Sequence, residues 1–265
     1  MSDVTAKPAA LGVGSILGEA FSLVFSNLVP MMIIATLPAI AGVLLGLLIY
    51  GPVSLNPTLA MTDPEAYVNE IAGIPQYMTY LLSIFGFVLW GFAAAAVTYA
   101  AYATRSGEEI SVPRALSTGL KHIGPVVLCM LIGGIAVYVG LVFLIVPGLY
   151  LGALWFVIMP AIVIEGVGFG AFGRSARLTK EYRWPVVGLL LLYGLIMFGI
   201  SLLSAGLQFA FAFLGTLGII LALISGSLVS GFFYALGGSI AALTYARLRE
   251  IKEGTEMSSL AEVFS

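Results

Sequence analysis

The chain has 265 residues, of which 60% are hydrophobic and only 9% are charged. Its mean hydropathy is +1.10, and soluble domains carry roughly 25% charged residues, so no water-soluble fold could bury this much apolar surface. The apolar runs are also longer than the roughly ten-residue segments of a transmembrane β-barrel. We therefore predict an all-α polytopic membrane helical bundle, because helices satisfy their own backbone groups in lipid.

The first predicted elements are a cytoplasmic N-terminal tail at 1–14 and an amphipathic helix at 15–27 that lies in the membrane interface. Its polar residues recur every three or four positions, which places them on one face of the helix: Ser15, Glu19, Ser22 and Ser26. The apolar run 28–50 follows as the first transmembrane span. A polar loop at 51–76 contains Asp63, Glu65 and Glu70 but no basic residue, which predicts that it lies on the outer side of the membrane.

The second span is predicted at 77–103, and a second interfacial helix follows it. Ser111 is a candidate N-cap of that helix and Pro113 suits its first turn. Its apolar stripe is formed by Val112, Leu116, Leu120 and Ile123.

The uncharged stretch 124–164 predicts two spans, 126–146 and 149–165, with the turn at Pro147 and Gly148. A third basic amphipathic segment, 167–184, comes next. The last uncharged stretch, 184–246, has room for two long helices or three short ones. We predict two, 185–210 and 218–245, followed by a cytoplasmic tail at 247–265.

The basic residues predict the orientation, because cytoplasmic loops are rich in Lys and Arg. All eleven lie in four short islands: Lys7, Arg105, Arg114, Lys121, Arg174, Arg177, Lys180, Arg183, Arg247, Arg249 and Lys252. Six spans place every island on one side, and three crossings in 184–246 would break that agreement. We therefore expect a multi-pass membrane protein with both termini in the cytoplasm.

The three interfacial segments lead into apolar runs that begin near a proline, at Pro30, Pro125 and Pro185. This spacing predicts a repeated unit of interfacial helix, proline and transmembrane hairpin. Basic amphipathic linkers of an ordinary polytopic protein are the alternative interpretation.

Charged residues near the membrane are the first candidates for a functional site. Arg174, Arg177, Lys180 and Arg183 could bind anionic lipid headgroups or a protein partner, although the positive-inside bias alone also explains them. Glu165 follows the uncharged stretch and is expected to form a buried ion pair with Arg174, Arg177 or Arg247. A proton or cation site at Glu165 is the functional alternative.

Other candidate residues are weaker. His122 is interpreted as a solvated interface residue, and the single Cys129 forms neither a disulfide framework nor a metal cluster. The aromatic residues inside spans either need hydrogen-bond partners or mark a lipid-filled cleft: Trp90, Tyr138, Trp155 and Tyr193. Small-residue pairs such as Gly238 with Ala242 and Gly226 with Ser230 predict close helix packing, within the chain or between two copies.

Three stretches carry a family resemblance: residues 146–151, 159–166 and 173–180, supported by Gly14 to Pro30 and by 243–249. They resemble the membrane domain attached to some glycerophosphoryl diester phosphodiesterases and the related YciC-like inner-membrane proteins. The resemblance implies a six-span bacterial inner-membrane domain. It does not imply the esterase, which needs metal-binding carboxylates and catalytic histidines, because His122 is the only histidine.

The sequence contains no phosphate-binding loop, metal-ligand spacing or nucleophile with a base, so we expect no catalysis and no cofactor. Our first hypothesis is a non-enzymatic, lipid-interacting inner-membrane protein that acts as a structural or accessory subunit or an assembly factor. Its partners would be membrane lipids and other membrane-protein subunits, not nucleic acid. A transporter of an apolar or amphipathic substrate and a membrane partner of a lipid-hydrolysing enzyme are the alternatives.

Overall fold

A computed structural model describes residues 10–51 and 59–254, apart from the side chains of Ala60 and Met61. All regular structure in these residues is helical, which confirms the all-α prediction. The helices are α1 (Val13–Ser26), α2 (Leu28–Tyr50), α3 (Leu59–Thr62), α4 (Pro64–Ile71), α5 (Gln76–Arg105), α6 (Val112–Lys121), α7 (Ile123–Phe143), α8 (Ile145–Leu154), α9 (Ile158–Glu165), α10 (Ala171–Leu178), α11 (Arg183–Phe211) and α12 (Gly215–Glu253).

Five helical segments in the described ranges are long and apolar enough to cross a membrane, which indicates a multi-pass membrane protein. They are Leu28–Tyr50, Gln76–Arg105, Ile123–Phe143, Ile145–Glu165 and Arg183–Glu253. The last segment contains both α11 and α12. The number of crossings and their orientation stay predictions.

The predicted outer loop 51–76 is partly helical. Asp63 caps α4, since its side chain accepts a hydrogen bond of 3.0 Å from the N–H of Ala66, and Pro64 occupies the first helical position. Residues 52–58 of this loop lie outside the described ranges, as do most of the two predicted tails.

Prolines mark where several helices begin. Pro30, Pro125, Pro147, Pro160 and Pro185 are each the third residue of a helix, namely α2, α7, α8, α9 and α11. The first turn of a helix makes no use of its N–H groups, so proline is tolerated there, while its ring disfavours helix in the residues before it. The same arrangement therefore occurs three times. Each of α1, α6 and α10, the helices predicted to be interfacial, precedes a longer helix that has proline at its third position.

The predicted turn at Pro147 and Gly148 is wrong by three residues. The helix break lies at Leu144, whose φ of −157° and ψ of 134° are extended, and Pro147 belongs to the first turn of α8. The predicted limits 126–146 and 149–165 change accordingly, because α7 already ends at Phe143.

The predicted span 149–165 is not one helix, since residues 155–157 separate α8 from α9. Pro160 has no N–H for the carbonyl of Phe156, and the N–H of Ile158 bonds the carbonyl of Trp155 at 3.1 Å. The carbonyl of Leu154 thereby loses its usual helical donor. It accepts hydrogen bonds from Ser175 (2.8 Å) and Thr179 (3.2 Å) instead, which ties the break to α10.

The stretch 184–246 folds into two helices, as predicted. α11 and α12 form an antiparallel pair joined by a short 3-10 helix, Ala212–Leu214, and by Gly215. Tyr193 of α11 donates a hydrogen bond of 3.0 Å to the carbonyl of Phe233 of α12, while Phe211 lies against Gly218 near the turn. α12 continues to Glu253, so the predicted tail at 247–265 begins as helix.

The buried core lies at one end of the bundle. In α5 the buried residues fall between Gly91 and Ala103, and in α12 most fall between Gly231 and Leu248. α1, α6, α9 and α10 surround these two stretches. The polar face of α1 is exposed, as predicted, whereas α6 packs on α5 through Ala115 and Gly119 and leaves Leu120 exposed. The apolar stripe predicted for α6 is therefore wrong by about one position, because the small residues permit the closer approach.

Candidate functional site

Charged side chains from three helices meet at the buried end of the bundle. We call them the ion cluster: Glu165 at the end of α9, Arg174 on α10, and Tyr245, Arg249 and Glu253 on α12. Nε of Arg174 lies 2.9 and 2.8 Å from the two carboxylate oxygens of Glu165. A second nitrogen of Arg174 lies 2.5 Å from Glu253, so one guanidinium joins α9 to α12.

The chain reverses direction immediately after Glu165, which places this carboxylate beside α10. Gly166 ends α9 with φ of 68°, a conformation that glycine adopts without steric cost. The side chains of Glu165 and Arg174 are only 18% and 17% exposed. The hydrogen bonds from Arg174 to Glu165 and Glu253 raise the pKa of this guanidinium above its ordinary value, so it stays charged.

Arg249 completes the cluster where Arg247 was expected. Its Nε lies 3.0 Å from Glu253 and 3.9 Å from Glu165, and its guanidinium lies over the ring of Tyr245. Tyr245 donates a short hydrogen bond to Glu165. The prediction that Arg247 pairs with Glu165 is wrong, because two residues on a helix point in nearly opposite directions.

Arg247 instead pairs with Glu250 at 3.3 Å, and its side chain is 45% exposed. The same Glu250 lies 3.3 Å from Arg105 at the end of α5, and Arg105 lies 2.9 Å from Glu19 on α1. This second group of ion pairs links α1, α5 and α12 beside the ion cluster.

The four residues predicted to bind anionic lipid do not share one free surface. Arg174 is occupied by two carboxylates, and Arg183 points at Tyr150, with its guanidinium carbon 5.0 Å from the ring centroid. Arg177 and Lys180 are exposed. Arg174 is therefore not available to bind an anionic lipid headgroup.

The lone histidine and cysteine have structural surroundings. Nδ1 of His122 lies 2.9 Å from the carbonyl of Thr118, and Cys129 is buried as a free thiol. Within 10–51 and 59–254, no group of three or more His, Cys, Asp or Glu side chains could hold a metal ion.

A cavity of about 400 Å³ lies among α5, α7, α9, α11 and α12, next to the break between α8 and α9. It is partly open, and its walls are mostly aromatic, aliphatic and glycine residues. Three of the aromatic residues flagged in the sequence contribute to it, namely Trp90, Trp155 and Tyr193. Tyr138, the fourth, is 69% exposed on α7 and does not contribute.

One polar group in the cavity wall has no partner. Thr98 is 1% exposed, and its hydroxyl makes no hydrogen bond within the described part of the chain. The hydroxyl of Tyr193 is already bonded to the carbonyl of Phe233. The oxygen of Thr98 is almost completely covered by the wall. Buried polar atoms are normally paired, so a small movement of the wall that uncovers this oxygen would let it form a hydrogen bond with a ligand in the cavity.

A second cavity of about 480 Å³ lies between α11 and α12, further from the ion cluster. Its lining is more polar and includes Ser204, Gln208 and Ser230. Phe233 and Tyr234 line both cavities, so the two spaces are neighbours along α12.

Comparisons with family models, with curated proteins and with solved structures give no match. The resemblance to the phosphodiesterase membrane domain therefore stays a prediction, and the functional argument depends on the site alone.

The sequence identified several residues that line the cavity, but it did not predict the cavity itself. Thr98 gave no signal, because a threonine in an apolar helix usually bonds the carbonyl four residues earlier. Gly238 was identified only as part of a small-residue pattern. Its position in the cavity wall follows from the crossing of α12 with α5 and α11, which a single sequence does not specify.

Proposed function

We propose that the protein is a lipid-binding integral membrane protein of the bacterial inner membrane, without chemistry of its own, whose cavity holds one lipid chain. The single observation that carries this proposal is the partly open, apolar cavity, whose wall includes Thr98 with a hydroxyl that has no hydrogen-bond partner among the described residues. A volume of about 400 Å³ lies within the range of roughly 300–1,000 Å³ typical of small-molecule sites.

The composition of the wall favours a hydrocarbon ligand. Trp90, Trp155 and Phe233 contribute aromatic rings, and no Lys, Arg, Asp or Glu of the described residues lines the space. Ions and polar solutes would leave their hydration shells at a large cost in such a wall. An acyl chain would instead replace its contacts with bilayer lipid by contacts with the wall, and an oxygen of its ester or carboxyl group would accept a hydrogen bond from Thr98.

The ion cluster, which shares α9 and α12 with the cavity, has a structural role. Its acids and bases are paired with one another, which leaves the cluster without an open coordination position for a substrate. We infer that it holds α9, α10 and α12 together around the cavity.

The test is retention of lipid by a variant whose cavity is filled. Gly134 lines the cavity, and a Cβ atom added there would meet no atom within 4 Å, so we expect Gly134→Leu to take up cavity volume. Gly194→Leu is the matched control, because Gly194 is an exposed α11 glycine outside both cavities. Native mass spectrometry after purification in mild detergent measures bound lipid.

We expect lipid on the wild type and on Gly194→Leu, and its loss from Gly134→Leu. Equal retention by all three proteins would contradict the proposal. A melting temperature of each protein shows that a loss of lipid is not a loss of fold.

Transport of an amphipathic molecule is the second candidate, and the neighbouring polar cavity favours it. An apolar cavity that adjoins a space lined by Ser204, Gln208 and Ser230 could accept first the chain and then the headgroup of one substrate. Transfer of a fluorescent lipid between leaflets of reconstituted vesicles distinguishes this role. Transfer that depends on Gln208 would favour transport, and lipid retention without transfer would favour binding alone.

A further inference from the structure

We propose that the polar cavity of about 480 Å³ between α11 and α12 is a second lipid site, which holds an uncharged headgroup that carries hydroxyl groups, a glycerol or a sugar. This inference does not depend on the proposed function, because the lipid belongs to the leaflet farther from the ion cluster and is not the one in the apolar cavity. Gln208 is the residue that determines the specificity of this second site.

The first observation is the hydrogen-bonding capacity of the cavity wall. Nε2 of Gln208 donates a hydrogen bond of 3.1 Å to the hydroxyl of Ser204. Among the residues that the structure describes, the amide oxygen of Gln208 accepts no hydrogen bond. Three hydroxyl groups of the wall also make none with these residues, namely those of Ser201, Ser230 and Tyr234. The unpaired atoms of Gln208 and Tyr234 are not covered by the wall, so they are available to a ligand.

The second observation is that the wall carries no charge. No Lys, Arg, Asp or Glu of the described residues lines the polar cavity, and the sequence from 184 to 246 contains none. A phosphate would therefore lose water without gaining a cation as its partner, which is unfavourable. A hydroxyl group is uncharged and both donates and accepts, as do the serine and tyrosine hydroxyls and the glutamine amide. The wall thus favours a hydroxylated headgroup over a phosphorylated one.

The third observation is the depth of the polar cavity. Arg177 and Lys180 are exposed just before α11, and exposed charges at hydrocarbon depth are very unfavourable, so α11 begins near one headgroup layer. From Arg183, the first residue of α11, Ser204 lies about 32 Å and Gln208 about 37 Å along the helix axis. Because the hydrocarbon core is ~30 Å thick, the polar cavity lies near the opposite headgroup layer.

The surroundings of the cavity suit the chains of such a lipid. Ser201 and Ser230 are exposed, so the cavity opens towards the bilayer. Phe198, one helical turn nearer to the membrane centre than Ser201, is 61% exposed, and Leu195, a further turn along, is 67% exposed. A lipid with its headgroup in the cavity therefore has an apolar surface along which its chains extend towards the membrane centre.

The experiment is competition among lipids that share the same oleoyl chains and differ only in the headgroup. An equimolar mixture of dioleoylglycerol, glucosyl-dioleoylglycerol and dioleoylphosphatidylglycerol is added to the protein in a detergent without a sugar headgroup. Native mass spectrometry measures the ratio of neutral to phosphate-bearing lipid that is retained. The melting temperature of each protein is measured in parallel.

The variants separate the polar cavity from the rest of the molecule. Gln208→Leu removes the amide, and the double change Ser201→Ala with Ser230→Ala removes two hydroxyls at a small change in volume. Gln76→Leu is the matched control, because Gln76 is the only other glutamine and lies at the start of α5 outside both cavities. Gly134→Leu fills the apolar cavity and leaves the polar one unchanged.

We expect the wild type to retain neutral lipid in preference to phosphatidylglycerol. This preference should fall roughly two- to tenfold in Gln208→Leu and in the double serine variant, as for the loss of one or two hydrogen bonds, and should persist in Gln76→Leu and Gly134→Leu. An excess of the glucosyl lipid would identify a sugar as the recognised group, and an excess of dioleoylglycerol would identify the glycerol hydroxyl.

Three results would overturn the inference. The first is retention of phosphatidylglycerol by the wild type as strongly as the neutral lipids, and the second is an unchanged ratio in the Gln208→Leu protein. If that variant does not fold, the double serine variant decides in its place. The third is loss of the preference in Gly134→Leu, which would show that a single lipid occupies both cavities.

Discussion

Glu165 and Arg174 form a two-pronged ion pair, in which the Nε and one terminal nitrogen of the guanidinium lie 2.6–2.9 Å from the carboxylate. Such pairs combine charge with fixed geometry, and at 17–18% exposure they are only weakly screened by solvent. The pair joins the end of α9 to α10, two helices that are too short to be stable by themselves.

We predict that Glu165→Gln destabilises the protein without affecting a transported ion. The change leaves Arg174 and Arg249 with one carboxylate fewer, and loss of one partner of a buried pair costs up to roughly 3–5 kcal/mol, so we expect about 2–4 kcal/mol at this partly exposed site. Thermal unfolding followed by tryptophan fluorescence measures it.

Glu108→Gln is the matched control for this substitution. Glu108 also pairs with an arginine, Arg114, but both side chains are more than half exposed. Surface pairs of this kind contribute little, so the melting temperature should stay close to that of the wild type. Equal losses in both variants would refute the structural role of the ion cluster.

We predict that the hydrogen bonds from α10 to the Leu154 carbonyl stabilise the fold. The double change Ser175→Ala with Thr179→Val removes both of its donors and should cost about 1–3 kcal/mol, because a buried carbonyl without a partner keeps its desolvation penalty. Ser239→Ala is the control, since Ser239 is also buried but donates to a carbonyl within the continuous helix α12. Chemical unfolding monitored by circular dichroism compares the two, and a larger effect of Ser239→Ala would contradict the assignment.

We predict opposite effects for two glycines of α12. A Cβ at Gly238 would lie 2.6 Å from Val97 and 3.3 Å from the backbone nitrogen of Thr98, so Gly238→Ala forces α5 and α12 apart at a cost of about 1–3 kcal/mol. At Gly226 the nearest atom is 3.9 Å away. Gly226→Ala should therefore be neutral or slightly stabilising, because alanine favours helix over glycine. Size-exclusion profiles after heating would rank the variants, and a Gly226→Ala protein less stable than Gly238→Ala would exclude this packing.

We predict that Thr98→Val separates lipid binding from stability. The valine has nearly the same shape and removes a buried hydroxyl that has no partner, so the melting temperature should stay unchanged or rise. Loss of one hydrogen bond of about 0.5–1.5 kcal/mol should weaken lipid retention roughly two- to tenfold. Competition with a fluorescent lipid measures it. A Thr98→Val protein that binds lipid as well as the wild type would show that the hydroxyl does not contact the ligand.

The helices were predictable from the sequence because apolar length and proline position act locally. The limits of α2 agree with the predicted span 28–50, and those of α5 lie within two residues of 77–103. The breaks at Leu144 and at 155–157 were not predictable, because a proline is compatible with both a turn and the first turn of a helix. The hydrogen bonds from α10 to the Leu154 carbonyl mark the break at 155–157, and they are visible only in the folded structure.

The candidate site was predictable in part. The pairing of Glu165 with a nearby arginine follows from the free-energy cost of an isolated charge near lipid, and in the structure that arginine is Arg174. Which arginine of α12 joins them depends on the rotation of that helix, and a shift of two residues exchanges Arg247 for Arg249. Thr98 could not be identified, because its missing hydrogen bond is a property of the packed structure.

α12 runs without a break for 39 residues, from the far turn past the cavity to the ion cluster. Gly238 at the cavity and Arg249 in the cluster are eleven residues apart, about 16 Å, on this one rigid segment. A rotation of α12 as one body at the cavity would also move Arg249 relative to Glu165. We therefore predict that the proposed lipid occupancy of the cavity and the closure of the ion cluster are thermodynamically linked, so that salt or acid that weakens the ion pairs changes lipid affinity at a distance.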